Sequence, residues 1–452
     1  MRAADKVTSR PATAAGARAP NPRPCRSVRP PPTTRALHSA LPRKHEASSP
    51  LTSGAGSPRA RKAEDVAARA VALREDAAAL GGPFVWIGDQ KAHSTTARGA
   101  EVIEDMSAWA QDGLLPLLKD LDADRGDGRN GPWQPADFLP DPQSPDFIDQ
   151  VRELRARSAE LPAGFLVALV GDTITEEALP TYMNMLNIMD AGCGDATGRD
   201  AHGWAQWTRG WTAEENRHGE ALNAYLYLGG RVDMPAVERT VQGLISRGMD
   251  GKMENNPYLC FVYTSFQERA TRVSHGNTAR LAKEYGDDAL ARLCGMVAAD
   301  EARHEEAYKR IVEQVLLRDP DGAVLAFADM MRKGIVMPAA LMDDGVHASG
   351  KKGARPGDGL FDDYAEVAQR LGVYTARDYA DIVEHLVQRW GIADLSGLSG
   401  EAAEAQEYLV GHAEKVRRLA DLGERRAQRS REAGRELARK FSWVFGEEIS
   451  LL

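Results

Sequence analysis

Two short segments of the chain repeat one pattern that is suited to binding metal. Residues Ala213–His218 and Ala299–His304 both read Ala, an acid, Glu, a variable residue, Arg and His. On an α-helix, residues three apart share a face, so each segment can present one carboxylate and one imidazole to a common point. Two such helices, with one Glu from each of two others, supply the ligands of a carboxylate-bridged di-iron site. The repeat therefore predicts dioxygen chemistry in a helical enzyme.

The alternative interpretation of each Glu–His pair is a solvated helix face, and the neighbouring residues argue against it. The first pair belongs to a helical stripe formed by Trp211, Glu215, His218, Leu222 and Tyr225. The second belongs to a stripe formed by Val297, Glu301, His304, Tyr308, Ile311 and Val315. Apolar stripes at this period face a protein core. Because a buried charge needs a partner or a metal, the pattern favours ligands.

Two further carboxylates are needed, and the segments upstream of each pair supply them. The sequences around Glu176 and Glu268 align as Glu, a variable residue and Ala, which makes these two residues equivalent. Glu177 remains an alternative to Glu176, since one residue turns the helix face by about 100°. Four carboxylates neutralise two ferrous ions, and oxygen ligands with imidazole suit iron or manganese. The predicted ligands are Glu176, Glu215, His218, Glu268, Glu301 and His304.

The acid that precedes each ligand Glu also occupies a matching position in the repeat. A metal-bound His usually donates its other N–H group to a carboxylate. The symmetry of the repeat pairs Asp300 with His218 and Glu214 with His304. The alternative is that both acids lie on the surface.

The remaining periodicity predicts an all-α fold, because no long alternating strand pattern occurs. An amphipathic helix is expected over 101–121, and Pro132–Pro142 reads as extended chain. A Gly/Lys-rich loop is expected over 345–359. The other predicted helices are at about 146–158, 167–191, 204–229, 235–248, 257–285, 287–317, 321–333, 361–371, 376–389 and 400–440.

The N-terminal region differs in composition from the rest of the 452-residue chain. Residues 1–45 contain ten Lys or Arg and one acid, with many Ser, Thr, Ala and Pro, which is typical of an organelle transit peptide. A disordered basic tail is the alternative. We expect 46–95 to be a linker or N-terminal extension, with an Ala-rich helical stretch at 64–80, and 96–452 to be the catalytic domain.

Charge and cysteine content limit the partners and the compartment. The chain has a formal net charge of -9, so without 1–45 its body is more acidic still. We therefore expect no nucleic-acid partner, and an acidic protein partner needs a local basic patch. The densest basic stretch is 415–440. The four Cys are scattered, which fits a reducing compartment. No apolar run is long enough for a membrane span.

Several longer motifs resemble the plant-type soluble desaturases that act on acyl chains bound to acyl carrier protein (ACP). The likeness spans roughly 100–445. The motifs are Pro132–Asp141, Asp172–Tyr182, Trp211–Gly219, Tyr263–Thr271, Ala299–His304, Phe327–Lys333 and Arg370–Tyr374.

This resemblance implies a ferritin-like di-iron four-helix bundle extended to about eleven helices, in a homodimer of the plastid stroma. It implies insertion of a cis double bond, most often at C9 of stearoyl-ACP, with dioxygen and reduced ferredoxin. It assigns the six ligands above, which selects Glu176 over Glu177. It also places Thr271 beside the oxygen site and links Trp133, Asp300 and His218 in an electron path.

The chain departs from the family pattern in its N-terminal region 46–95 and in the 345–359 loop. It also departs at positions of the acyl-pocket lining, which puts chain length and double-bond position in question. These positions are Ile188, Met189, Gly251, Met253 and Cys260. Two rival functions remain. One is ribonucleotide reduction, because Tyr308, one turn after His304, resembles the radical Tyr of the ribonucleotide reductase small subunit. The other is ferritin-like iron storage, which uses a similar bundle.

Overall fold

The helical periodicity of the sequence produces thirteen α-helices among the residues that the computed structural model describes, which are 85–87, 90–124, 130–347, 359–434 and 437–451. The predicted transit peptide 1–45, the 64–80 stretch and most of the 345–359 loop lie outside this part of the chain. The helices are α1 (Ala97–Asp105), α2 (Ser107–Leu114), α3 (Phe147–Ala159), α4 (Ala163–Glu177), α5 (Leu179–Asn187), α6 (Gly203–Gly229), α7 (Met234–Arg247), α8 (Pro257–Glu284), α9 (Asp288–Arg318), α10 (Pro320–Lys333), α11 (Leu360–Leu371), α12 (Ala376–Arg389) and α13 (Gly400–Glu432).

Four of the long helices form the central bundle. Helix α8 packs along α9, and α4 packs on α6; α6 also touches α9, and α4 touches α8, which closes the ring. A short turn, in which Asp287 caps α9 by accepting from Leu290 N, joins α8 to α9. The predicted all-α class with a four-helix bundle core is therefore confirmed. The sequence predicts a single helix across α1–α2 and a single helix across α4–α5, where the structure has two helices in each case.

A proline interrupts the helix between α4 and α5. The sequence predicts one helix over 167–191, but Pro180 has no N–H to donate to the carbonyl of Glu176 and its ring crowds that turn. The hydroxyl of Tyr182 donates to the Glu176 carbonyl instead, at 3.0 Å. The chain therefore turns at the residue that the sequence identifies as a ligand.

The C-terminal part of the last predicted helix is not helical. Helix α13 ends at Glu432, and Gly434 has a left-handed φ of 64°. Strands β3 (Leu437–Lys440) and β4 (Glu448–Leu451) then form an antiparallel hairpin. A second hairpin near the start pairs β1 (Val85–Ile87) with β2 (Gln90–His93). Strands this short leave little alternation to detect in a sequence, and the prediction of a helix to residue 440 is wrong.

The segment between β3 and β4 closes one end of the core. Phe441 and Trp443 are completely buried, and the Trp443 indole donates to Thr240 Oγ1 on α7 at 2.9 Å. The backbone N–H of Asp233 donates to the Trp443 carbonyl at 2.7 Å. This segment also packs on α4. Among the described residues, no helix has the length and apolarity to cross a membrane.

Candidate metal centre

The four bundle helices bring the six predicted ligands together at the middle of the core. Helix α4 contributes Glu176, α6 contributes Glu215 and His218, α8 contributes Glu268, and α9 contributes Glu301 and His304. All six side chains are buried. Glu177, the alternative to Glu176, lies half-buried outside this cluster.

The six residues form two overlapping groups of four. One group contains Glu176, Glu215, His218 and Glu301, and the other contains Glu215, Glu268, Glu301 and His304. In each group, one ligand atom from every residue lies within 4.8 Å of all the others. Glu215 and Glu301 belong to both groups, which is the arrangement of bridging carboxylates between two ions.

Both imidazoles present Nδ1 to the carboxylates. His218 Nδ1 lies 3.3 Å from Glu215 and 3.3 Å from Glu301. His304 Nδ1 lies 2.7 Å from Glu215 and 3.6 Å from Glu268. The two rings are tilted by 31° and their centroids are 6.2 Å apart.

The donor set fits two divalent cations. Both Nδ1 atoms, together with Glu215 Oε1 and Glu301 Oε1, are buried without a well-formed hydrogen bond among the described residues. Such orphaned atoms are costly unless something binds them. Burial, with the nearby carboxylate of Glu215, raises the pKa of Glu268 and of Glu301. Burial opposes ionisation of Glu176 and Glu215 as well, but neighbouring imidazoles outweigh it and lower the pKa of both. Two divalent cations would remove the opposition to ionisation that remains at Glu268 and Glu301.

The other nitrogen of each His points to a buried acid. His218 Nε2 lies 3.4 Å from Asp300 Oδ2, and His304 Nε2 lies 2.9 Å from Glu214 Oε2. These contacts agree with the pairing that the repeat predicted, and neither acid lies on the surface. Burial opposes ionisation of Glu214, but His304 and Arg303 lower its pKa to about 2. The pKa of Asp300 is likewise lowered despite burial, by His218 and Arg217.

Trp133 reaches His218 through Asp300. The indole Nε1 donates to Asp300 Oδ2 at 2.8 Å, and the indole and imidazole planes differ by only 6° with centroids 5.9 Å apart. Arg217 donates to the same Asp300 oxygen at 2.6 Å and lies over the Trp133 ring, 4.9 Å from its centroid. The structure therefore joins the three residues that the resemblance linked.

Arg217 and Arg303 were not predicted as site residues, although the repeat contains both. Each precedes a ligand His by one residue. Arg303 donates to Glu214 and to Asp300, both at 2.6 Å. The Arg that repeats before each His could therefore have been identified from the sequence as a site residue, because it places a cation beside Glu214 and Asp300.

Three more side chains contact the candidate ligands directly. Thr271, which was predicted beside the oxygen site, donates its hydroxyl to Glu301 Oε2 at 2.8 Å. His275 Nε2 lies 2.7 Å from Glu176 Oε1, and Trp211 Nε1 donates to Glu268 Oε1 at 3.0 Å. The sequence gives His275 no role, and it places Trp211 only in an apolar helical stripe. Neither residue belongs to the repeated Glu–His pattern.

Two cavities lie against the cluster. The outer cavity, of about 310 Å³, is mostly apolar and runs to α11 and α12 at the surface. The inner cavity, of about 60 Å³, lies against Glu215, Glu268 and Glu301. Both are lined by Thr175, Glu176 and Thr271, so both lie beside the candidate metal site.

None of the predicted acyl-pocket positions lines either of these two cavities. Ile188, Met189, Gly251 and Met253 line a third space, a surface groove of about 790 Å³ beside α5 and the segment after α7. Ile188 is half exposed there. Cys260 is fully buried in the core and lines none of these three spaces.

Tyr308 is buried beside the cluster but does not touch the candidate ligands by a hydrogen bond. Its hydroxyl has no partner among the described residues. Its ring packs edge-on against Trp207 and Trp211, with centroids 5.9 and 6.3 Å away. These contacts are those of a core residue.

Comparisons with known proteins agree with this geometry. Residues 98–445 match the family model described as fatty acid desaturase. The chloroplastic stearoyl-acyl-carrier-protein 9-desaturase of Brassica napus is 56% identical over 362 residues, which cover 80% of this chain and 85% of the relative. The corresponding desaturase 1 of Oryza sativa subsp. indica is 57% identical over 358 residues, covering 79% and 88%. Desaturase 1 of Arabidopsis thaliana is 52% identical over 387 residues, covering 84% and 92%.

Proposed function

Because the chain belongs to the fatty acid desaturase family, we propose that it inserts a cis double bond into acyl chains carried by ACP, at C9 of the stearoyl group. The observation that supports this most directly is the pair of overlapping Glu–His groups beside two mostly apolar cavities. Reduced ferredoxin supplies electrons and dioxygen is the oxidant. The rival activities, ribonucleotide reduction and iron storage, give no account of such cavities.

Glu176, Glu215, His218, Glu268, Glu301 and His304 would hold two iron ions, which supply the activation of dioxygen when bound. Glu215 and Glu301, which belong to both groups, would take part in holding both ions. Asp300 and Glu214 fix the orientation of both imidazoles, because each accepts from the nitrogen that faces away from the cluster. His275 and Trp211 hold the two terminal carboxylates in the same way.

The two cavities position the acyl chain and exclude water. The outer cavity admits the chain from the surface past α11 and α12, and its inner end brings the reacting carbons to Glu176 and Thr271. Thr271 keeps its hydroxyl on Glu301 and faces both cavities, so it can also contact oxygen-derived groups. Because the cavity walls are mostly apolar, they offer no group that would react in place of the substrate.

Electrons reach the cluster by the Trp133, Asp300 and His218 contacts. Arg217 and Arg303 keep Asp300 ionised, so it accepts from the indole and the imidazole together. We also propose a homodimer in the plastid stroma, with 1–45 as the transit peptide. The support for this location is the composition of that segment and the chloroplastic names of the relatives.

The test combines metal analysis with product analysis. The purified protein should contain about two irons per chain and convert stearoyl-ACP to the 9-monounsaturated product with reduced ferredoxin and dioxygen. Glu176→Ala should lose iron and activity. The matched control Glu177→Ala, one residue away and outside the cluster, should retain both. Full iron content in Glu176→Ala, or no unsaturated product from the wild type, would contradict the proposal.

A further inference from the structure

Gln267, on α8, is a buried amide side chain in the wall of the inner cavity. Its Nε2 donates to the carbonyl oxygen of Val336 at 2.9 Å. A carbonyl oxygen accepts and cannot donate, so the amide cannot be turned over to present its own oxygen at this contact. The Tyr263 hydroxyl donates to the same carbonyl at 2.7 Å. The orientation of the Gln267 amide is therefore fixed by the backbone of Val336.

The amide oxygen, Gln267 Oε1, is buried and has no hydrogen-bond partner among the described residues. An unsatisfied buried acceptor is costly unless a donor reaches it. The other polar side chains of the inner cavity that are not candidate ligands all donate within the protein. They are Thr175, Tyr182, Trp211, Tyr263, Thr264 and Thr271. Gln267 thus differs from the rest of this wall in offering a wholly unused acceptor.

The proposed reaction forms a small donor of the right kind at this place. Insertion of one double bond takes two hydrogen atoms from the acyl chain, two electrons from ferredoxin and two protons from solvent, and converts one dioxygen to two waters. Dioxygen and the methylene groups of the acyl chain carry no polar hydrogen, whereas water can donate two. One water needs about 10–15 Å³, and the inner cavity offers about 60 Å³.

We infer that Gln267 Oε1 accepts from water in the inner cavity and holds the water formed by the reaction away from the candidate ligands. This inference rests on the proposed function. A water against the apolar part of the wall would lack a partner, and Gln267 supplies one. Water left at the candidate metal site would occupy space that the next dioxygen needs, so Gln267 is a positioning residue for repeated turnover.

The first experiment is a high-resolution crystal structure of the iron-loaded protein without acyl-ACP. We expect an ordered water within hydrogen-bond distance of Gln267 Oε1. Gln267→Met has nearly the same length and no acceptor, and the Val336 carbonyl keeps the Tyr263 hydroxyl. This variant should lack the water while the six candidate ligands keep their positions. A wild-type structure in which Oε1 accepts from a protein group, or lies beside no water, would overturn the inference.

The second experiment compares the first and second turnovers of one sample, quenched at intervals after reduced protein and stearoyl-ACP are mixed with dioxygen. Gln267→Met should complete the first turnover at the wild-type rate and slow the second by about 2- to 12-fold, which is the worth of one neutral hydrogen bond. Thr264→Val is the matched control. Thr264 lines the same cavity, but its hydroxyl already donates to the Cys260 carbonyl, so both turnovers should keep the wild-type rates.

The outcomes separate this inference from the proposed function. If the wild type forms no unsaturated product, the proposed function fails, and the crystal structure still shows whether Gln267 binds water. If the wild type is active but Gln267→Met slows both turnovers equally, or neither, the role in water removal is wrong. An equal delay in Thr264→Val would also overturn it, because the general polarity of the wall would then be responsible. Gln267→Leu replaces Gln267→Met if the latter does not fold.

Discussion

At the scale of single residues, Asp300 is the most connected side chain around the candidate metal site. It is fully buried, and it accepts from Trp133, Arg217 and Arg303 at 2.8, 2.6 and 2.6 Å. Lys119 lies 3.7 Å away, and His218 3.4 Å. One carboxylate therefore lies close to three cations while it orients an imidazole, and Glu214 shares Arg217 and Arg303 with it. Its charge matters more here than its shape.

Asp300→Asn keeps the shape and removes the charge, so it tests the electron path. We expect iron to remain bound, because all six candidate ligands are intact. Ferredoxin-dependent reduction should slow by about 10- to 100-fold, the usual range for changes to a partner of a metal-bound His. Rapid-mixing absorbance measurements with reduced ferredoxin give the rate. Glu214→Gln, at the equivalent position beside His304, is the control, and an unchanged rate in Asp300→Asn would exclude this path.

How much of the site the sequence predicts depends on which residues the repeat contains. The pattern contains the Glu, the His and the acid before each Glu. Helix periodicity puts each Glu and His on one face, and the symmetry of the repeat pairs each acid with the His of the other segment. His275 and Trp211 stand outside the pattern, 99 and 57 residues from the carboxylates that they contact. Outside a repeat, contacts at that separation depend on how the helices are rotated against one another. A single sequence does not give that rotation.

At the scale of helices, the sequence predicts most boundaries well because the capping residues are themselves visible. Helix α8 begins after Asn256, whose side chain accepts from Tyr258 N, with Pro257 in the first position. The break at Ala178 was missed, since the periodicity of α4 and α5 continues across it. The break follows from Pro180, and Tyr182 restores the bond that the proline removes.

Helices α8 and α9 are also joined by a buried ion cluster. Glu305 on α9 accepts from Arg269 and Arg272 on α8, at 2.7 and 2.8 Å, and from Lys309 at 2.8 Å. Burial raises the pKa of Glu305, but Lys309, Arg272 and Arg269 outweigh it and lower the pKa to about 2. A lowered folded-state pKa stabilises the protein above the unfolded value of 4.5, and that stability is lost as the pH falls toward 2.

Glu305→Gln should therefore cost stability in a pH-dependent way. We expect a loss of about 3 kcal/mol in the free energy of unfolding at pH 7, narrowing to about 2 kcal/mol at pH 3.5. Urea unfolding at pH 7, 5, 4 and 3.5 measures this difference in the free energy of unfolding between wild type and variant. Glu404→Gln, on an exposed face of α13, is the control and should show almost none. A difference in the free energy of unfolding that grows as the pH falls would contradict the stabilising role of ionised Glu305.

At the scale of the whole molecule, charge determines where an acidic carrier protein can dock. The 415–440 stretch is less uniform than its composition suggests. Arg417 forms ion pairs with Asp381 and Glu384 on α12, and Arg439 with Asp363 and Glu366 on α11. Arg425 and Arg426 are exposed on α13. The sequence identifies the basic stretch, but only the packing of α13 separates structural arginines from those that face solvent.

Reversing Arg425 and Arg426 to Glu should weaken binding of acyl-ACP. We expect KM to rise several-fold at low salt with little change in kcat, because exposed pairs are weak singly but together raise association rates. Steady-state kinetics over a salt series checks this, and the difference should shrink as salt screens the charges. The matched control reverses Arg239 and Arg292, exposed on α7 and α9, which gives the same net charge. Equal KM values for the two double variants would place the docking surface elsewhere.

The packing of Phe441 and Trp443 has a consequence for the order in which the molecule is built. A ribosome makes Glu176 and helix α4 early, but the aromatic residues that cover one side of α4 and α7 emerge only after α13 is complete. Until then, that apolar surface stays uncovered. The first of the six candidate ligands therefore waits for almost the entire catalytic domain to be synthesised before its helix is fully enclosed.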